Sequence, residues 1–132
     1  MALLIDTDVL IDVERGAGTP EVERVLGDEE RAISVITVSE LLHGALRASG
    51  GRGTRRRAFV EHLLSGMQAV PITERVARAH ADLWVSLAEG GQVIGAHDLW
   101  IAATAIAHGF GVATRNVADF ARVPGLRVVV PA

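Results

Sequence analysis

The sequence predicts an α/β fold, a three-layer sandwich in which helices flank both faces of a short, mostly parallel central sheet. Short apolar runs alternate along the chain with amphipathic segments of helical length, and parallel strands need such helical crossovers between them. Neither an internal repeat nor a linker-like tract interrupts the 132 residues, an ordinary length for one domain. We therefore expect a single domain over residues 1–132.

The individual elements follow from apolar runs and from helix start and stop signals. Strands are predicted at residues 2–5, 32–35, 69–72, 111–114 and 127–130. Helices are predicted at residues 7–14, from Thr19 through Leu26, from 37 to about 49, at 55–65, at 73–90, and from His97 or Asp98 to Gly109. Thr19 caps the second helix and Val22 lies on its apolar stripe in this interpretation. The last helix is apolar nearly all round, which predicts that it is buried.

Composition excludes several classes of protein. Hydrophobic residues make up 49% and charged residues 22% of the chain, which is far from a disordered composition. The absence of cysteine excludes disulfides and thiolate chemistry and fits a reducing compartment. No apolar run approaches the roughly 18 residues of a membrane span, and no signal peptide is recognisable. We therefore expect a cytoplasmic protein with no membrane partner.

Net charge argues against a protein that coats nucleic acid, because the chain carries −3 at pH 7. A nuclease stays possible, since carboxylates held in a cation site would account for that negative charge. All 13 positive residues are arginine.

Four acidic residues recur near strand ends or helix starts: Asp6, Glu40, Asp98 and Asp119. Each has a local structural explanation as a helix cap or as a partner of a helix dipole; Thr37 and Glu40 in particular match a capping box. In a parallel α/β sheet, however, such positions meet beyond the carboxyl ends of the strands. Four carboxylates together repel one another, and a bound divalent cation relieves that repulsion. Oxygen ligands favour Mg²⁺ or Mn²⁺.

Other polar residues favour structural roles. Asp8 is expected to serve the dipole of the first helix, and Asp12 is expected to face solvent. The five histidines lack metal-ligand spacing, and His97 is of interest only because it precedes Asp98. Arg55, Arg56 and Arg57 form either a solvated helix face or a guide for phosphate groups. Trp84 and Trp100 are expected to pack in the core, so no base-stacking platform is predicted.

Four motifs in order, LIDTDVLI, TVSELLHG, IGAHDLWIAATA and ATRNVADF, make the sequence resemble the PIN domain family, specifically the VapC-type toxins. The resemblance covers nearly the whole chain. It implies that Asp6, Glu40, Asp98 and Asp119 are the catalytic, metal-binding acids and that Thr114 and Asn116 orient them. It also implies one or two Mg²⁺ or Mn²⁺ ions. No acid of the family pattern is missing here.

The resemblance further implies a metal-dependent endoribonuclease that cuts structured RNA such as tRNA, forms a homodimer and is inhibited by a cognate antitoxin. The helical hairpin at residues 37–66 is the expected antitoxin surface. Arg55, Arg56, Arg57 and Arg115 are the expected RNA contacts. Both assignments are hypotheses.

Three alternatives remain open at this stage. A PIN-like module could bind RNA or protein without catalysis, or a nuclease of this kind could process RNA as a housekeeping enzyme. The segment from Asp6 to Leu10 also resembles the start of haloacid-dehalogenase-like phosphatases, but that family needs a later lysine and this chain has none.

Overall fold

The computed structural model describes residues 2–16 and 19–131 and contains one five-stranded sheet. The strands are β1 (Ala2–Ile5), β2 (Glu30–Ser34), β3 (Gln68–Val70), β4 (Gly111–Ala113) and β5 (Val128–Val129). Their order is β3-β2-β1-β4-β5, and all four pairings are parallel. The predicted α/β class is confirmed, and the sheet is wholly parallel in the described residues.

Helices cover both faces of this sheet. They are α1 (Thr7–Glu14), α2 (Thr19–Leu26), α3 (Val35–Arg47), α4 (Gly50–Gly66), α5 (Glu74–Glu89), α6 (Ala96–His108) and α7 (Val117–Phe120). The predicted cap by Thr19 and the predicted packing of Val22 lie outside the side chains that the structure describes. None of the described helices has both the length and the apolar character needed to cross a membrane.

The strands bury alternate residues on opposite faces, as the period of two requires. Leu4 and Val112 belong to a core with α5, α6 and the buried ring of Phe120. Leu3 and Ile33 belong to a second core with α1, α3 and α4. Two cores on one sheet define the three layers that the sequence predicted.

Several helix boundaries differ from the prediction. Helix α3 begins after Ser34, whose hydroxyl accepts a hydrogen bond from the Ile36 amide at 3.0 Å. The predicted capping box is therefore wrong, because Thr37 lies inside the helix and is fully buried. Helix α4 begins at Gly50, five residues before the predicted start, so Gly51 and Gly53 lie within the helix, while Gly50 at its start has a left-handed φ of 59°.

The tryptophan prediction is half right. Trp100 packs against the first core and stacks on the ring of His80, with 3.6 Å between centroids. Trp84 is 63% exposed, so its predicted burial is wrong. Its ring contacts the buried His80 edge-on, with 5.7 Å between centroids, but most of its surface is open to solvent, since a helix that covers a sheet buries only one side.

The strand order places a crevice between β1 and β4. The chain runs outward from β1 through β2 to β3 and then returns across the sheet to β4, on the other side of β1. Such a reversal separates the connecting loops at the carboxyl edge and opens the usual ligand site of a parallel sheet. Asp6 follows β1 and Thr114 follows β4 at this edge.

Candidate functional site

Asp6 is fixed at the carboxyl end of β1 by two hydrogen bonds. The Thr7 amide donates to its Oδ1 at 2.8 Å, which makes Asp6 the N-cap of α1. The Thr114 hydroxyl donates to its Oδ2 at 2.7 Å, and this contact is buried. The pairing of Ile5 with Ala113 brings the two strand ends side by side. Asp6 therefore caps α1 and lies at the carboxyl edge of the sheet, where the sequence placed it.

Asp98 and Asn116 meet on the opposite side of the crevice. Asp98 lies in the first turn of α6, and the Asn116 side-chain amide donates to its Oδ2 at 2.8 Å. The Asn116 backbone amide donates to the Thr114 hydroxyl at 2.9 Å. Thr114 thus links Asp6 to Asn116, and Asn116 links that pair to Asp98. These hydrogen bonds bring together four of the six site residues that the resemblance implies.

Asp119 lies next to Asp98 and is held by the backbone. The Gly95 amide donates to Asp119 Oδ2 at 3.2 Å. A Cβ at position 95 would lie 3.8 Å from an oxygen of Asp98 and 3.8 Å from an oxygen of Asp119. The two carboxylates therefore flank the glycine before α6, a residue that the acid pattern did not single out.

Glu40 reaches the site from α3. The Thr7 hydroxyl donates to Glu40 Oε1 at 2.8 Å, and His97 Nδ1 lies 3.3 Å from Glu40 Oε2. A cavity of about 430 Å³ opens beside it, lined also by Ser39 and His43. Sequence reasoning missed Thr7, whose only signal was its position beside Asp6. His97 precedes Asp98 in the sequence and also contacts Glu40.

The carboxyl groups are close enough to perturb one another. The pKa of Asp6 is raised from 3.8 to about 6, chiefly by burial and also by the charges of Asp8 and Glu40, while the hydrogen bonds from Thr114 and Thr7 oppose the rise. Burial also raises the pKa of Asp98 to about 7, with the charges of Asp6 and Asp119 acting in the same direction. The cleft therefore concentrates negative charge where water is partly excluded.

The four acids form a row and not a ready-made metal cage. The charge of Glu40 raises the pKa of Asp6, and the charges of Asp6 and Asp119 raise the pKa of Asp98. Within residues 2–16 and 19–131, no three acidic or histidine side chains are grouped tightly enough to form a metal site as they stand. The donors are all carboxylate oxygens with excess negative charge, and this donor set fits a hard divalent cation.

The remaining acids of α1 are held by Arg115. Asp8 lies in the first turn, as predicted, and accepts a hydrogen bond from the Arg115 amide at 3.2 Å. Asp12 is half-buried and forms an ion pair with the Arg115 guanidinium, so its predicted exposure to solvent is wrong. Arg115 also donates to the Pro131 carbonyl at 2.7 Å. Its guanidinium is thus engaged within the protein, and its RNA contact stays a prediction.

The three arginines of α4 have different environments. Arg56 is half-buried, and its Nε lies 2.6 Å from both carboxylate oxygens of Glu14. Arg55 and Arg57 are exposed. Arg56 is thus a structural link between α4 and α1, and among these three only Arg55 and Arg57 keep the accessibility that the predicted RNA contact needs.

The fold and the carboxylate row together define an acidic α/β nuclease-like domain. Residues 3–126 match the PIN domain model. The chain belongs to the PIN domain family, in the branch of the VapC ribonucleases. It is 35% identical to Ribonuclease VapC1 of Rickettsia felis over 130 residues, covering 98% of this chain and 96% of that protein.

Two further comparisons agree with that membership. The tRNA(fMet)-specific endonuclease VapC of Salmonella typhimurium is 31% identical over 103 residues, which is 78% of this chain and 76% of that protein. The crystal structure of DNA-bound VapBC from Salmonella typhimurium superposes with a TM-score of 0.87 at 26% identity, covering 100% of this chain and 99% of that one.

Proposed function

We propose that this protein is a divalent-metal-dependent endoribonuclease and the toxin of a toxin-antitoxin pair, acting on structured RNA such as tRNA. The observation that carries the proposal is the Asp6–Asp98 pair, two carboxyls with raised pKa values at the crevice between β1 and β4 in a VapC-family chain. Ribonuclease activity is named for the relatives, one of them a tRNA endonuclease.

The side chains have separate tasks in this proposal. Asp6 and Asp98 are the primary ligands for one or two Mg²⁺ or Mn²⁺ ions, and Glu40 and Asp119 complete the site directly or through water. Thr114 and Asn116 fix the first two carboxylates by the hydrogen bonds described above. A bound divalent ion supplies Lewis-acid activation of water and stabilisation of charge on the phosphate. The rigid carboxylate row positions that chemistry at the sheet edge.

Partners follow from the family. The structural relative is a DNA-bound VapBC assembly, and the VapBC proteins are a family of toxin-antitoxin systems. We propose that a cognate antitoxin covers the α3–α4 hairpin of this chain. We also propose a homodimer acting in the cytoplasm, where structured RNA is found.

The test uses purified protein, a tRNA pool and matched variants. We expect cleavage with Mg²⁺ or Mn²⁺, loss of cleavage with EDTA, and loss in Asp6→Asn. Asp82→Asn is the control, because Asp82 is an exposed acid on α5 outside the cleft. Cleavage that survives both EDTA and Asp6→Asn would come from a contaminant. RNA that binds and stays intact would support the non-catalytic alternative.

A second experiment separates a toxin from a housekeeping nuclease. Induced expression should arrest growth, and co-expression of the neighbouring open reading frame should relieve the arrest. Sequencing of RNA 5′ ends after brief induction would identify the substrate. Growth that is unaffected while purified protein still cuts RNA would favour the housekeeping role.

A further inference from the structure

A second, basic cavity lies at the other end of α1. It has a volume of about 400 Å³ and is lined by Glu14, Arg15, Arg52, Arg55, Arg56 and Phe59. These residues come from the carboxyl end of α1 and the first half of α4. Four arginines thus face one glutamate, in a protein whose overall charge is negative. A local positive field of this kind attracts anions.

One of the four arginines is already neutralised. Arg56 and Glu14 form a close ion pair, and each side chain is only 17% exposed. Across the described residues, no ion pair or hydrogen bond engages the side chains of Arg15, Arg52 or Arg55, and all three are exposed. The cavity therefore presents three guanidinium groups around a structural Arg56–Glu14 pair.

The start of α4 is unfavourable for a helix in three respects. Gly50 and Gly51 have low helix propensity, and Ser49 makes no side-chain capping hydrogen bond. Arg52 places a cation in the first turn, next to the positive end of the helix dipole. Departures of this kind from local rules are expected where a site has a function. A bound anion would compensate both the uncapped amides and the clustered cations.

Glycine at position 51 also leaves room for one of the three guanidinium groups. A Cβ there would lie 3.1 Å from Nη1 of Arg55, closer than a side chain normally approaches. The glycine-rich start thus lets the Arg55 side chain lie against the helix backbone beside the cavity.

We propose that Arg15, Arg52 and Arg55 bind phosphate groups of the RNA strand that flanks the scissile bond. This inference rests on the proposed function. Helix α1 begins beside Asp6 and has eight residues, so its two ends lie about 12 Å apart. That length corresponds to about three to four nucleotides of a stacked strand at ~3.4 Å each. A strand cut at Asp6 therefore reaches the basic cavity by following α1.

Phosphate is the favoured ligand over an acidic protein segment. Guanidinium groups match phosphate oxygens in a bidentate geometry, and three of them in one cavity match several phosphates of one strand. The acidic cleft repels the same strand, so flanking contacts are needed to hold it there. An acidic peptide has no comparable reason to lie at a fixed distance from Asp6.

The test measures RNA binding separately from cleavage. A short fluorescent 2′-O-methyl RNA, which resists cleavage, is titrated with wild type and with Arg15→Ala/Arg52→Ala/Arg55→Ala at several salt concentrations. The slope of log K against log salt is negative, and each lost phosphate contact reduces its magnitude by about 0.7 for a single strand. We therefore expect the slope of the triple variant to be smaller in magnitude than that of wild type by about 2.

The control removes the same charge elsewhere. Arg24→Ala/Arg47→Ala/Arg75→Ala deletes three exposed arginines that do not line the cavity and are not among the expected RNA contacts. We expect its slope to stay close to that of wild type. Circular dichroism should show both triple variants folded, since the altered side chains are exposed.

The outcomes separate this inference from the proposed function. If wild type cuts tRNA and both triple variants show the same salt-dependence slope as wild type, the RNA assignment of the cavity is wrong. The nuclease proposal is then unaffected. If poly-glutamate binds the cavity and the Arg15/Arg52/Arg55 variant loses only that binding, the cavity is a protein-docking surface and the inference is overturned. If wild type binds the RNA through the three arginines but cuts nothing, the nuclease proposal fails alone.

Discussion

Removing the charge of Asp6 should stabilise the metal-free protein. Asp6 is 6% exposed, and burial holds its pKa at about 6, above its ordinary value of 3.8. The folded protein therefore disfavours the carboxylate that the unfolded chain accepts. Asp6→Asn keeps the size of the side chain and removes the charge, so the variant avoids that cost above the folded pKa.

The magnitude follows from the two pKa values. A difference between 3.8 and about 6 corresponds to about 3 kcal/mol, at about 1.4 kcal/mol for each pH unit. The carboxylate accepts hydrogen bonds from Thr7 and Thr114 on different oxygens, and an amide can accept only one of them. We subtract about 1 kcal/mol for that loss. The net gain is about 2 kcal/mol, or about 7 °C for a chain of this length.

The sign of the difference in stability between Asp6→Asn and wild type depends on pH. Below 3.8 both folded and unfolded chains hold the proton, and the charge of Asp6 costs nothing. Between 3.8 and about 6 the folded state binds the proton more tightly, so wild-type stability falls as the pH rises. Above about 6 the cost is fully present. The variant should therefore be slightly less stable than wild type near pH ~4 and more stable by about 2 kcal/mol near pH ~8.

Urea denaturation in EDTA across that pH range measures the difference directly. Asp82→Asn should give no pH-dependent gap, because Asp82 is exposed. Added Mg²⁺ or Mn²⁺ should close the gap by stabilising wild type alone. An Asp6→Asn protein that is less stable than wild type by the same amount at every pH would refute the reasoning, because Asp6 would then be an ordinary helix cap.

Two further substitutions test the supports of the site and of the hairpin. Thr114→Val removes the buried hydroxyl that donates to Asp6; we expect a loss of about 1–3 kcal/mol in chemical denaturation together with lower RNA cleavage. Thr104→Val, at a buried hydroxyl that bonds only within α6, should leave cleavage unchanged. Gly53→Ala would place a Cβ 2.7 Å from a backbone carbonyl oxygen at the end of α3 and should cost about 1–3 kcal/mol. Gly66→Ala meets no atom within 4 Å and should leave the melting temperature unchanged or slightly raised.

The sequence was sufficient for the sheet edge that carries the site. Residues 2–5 and 111–113 are uninterrupted apolar runs, and the helices between such runs indicate parallel strands. Parallel strands bring their carboxyl ends to one edge, so Asp6, Thr114 and Asn116 could be expected to meet there. The structure adds the hydrogen bonds that fix their order along the cleft.

Long-range charge pairing was beyond the sequence. Asp12 lies 103 residues from its partner Arg115, and Glu14 lies 42 residues from Arg56. Asp12, Glu14 and Arg56 occupy helix positions that are typical of solvent exposure, and Arg115 lies in the turn after β4. Only tertiary packing decides that they pair, because local helix rules cover residues three or four positions apart. For the same reason, the sequence could not distinguish Arg56 from its neighbours Arg55 and Arg57.

Glu40 shows how a local rule can conceal a functional residue. The pattern from Thr37 to Glu40 predicts a capping box, in which the carboxylate would bond back to its own helix. Ser34 caps the helix instead, three residues before Thr37. Strand β2 ends at Ser34, and the Ser34 hydroxyl accepts a hydrogen bond from the Ile36 amide. Glu40 then lies in the second turn of α3 and not the first. Its carboxylate is free of the helix end and reaches Thr7 and His97 across the cleft.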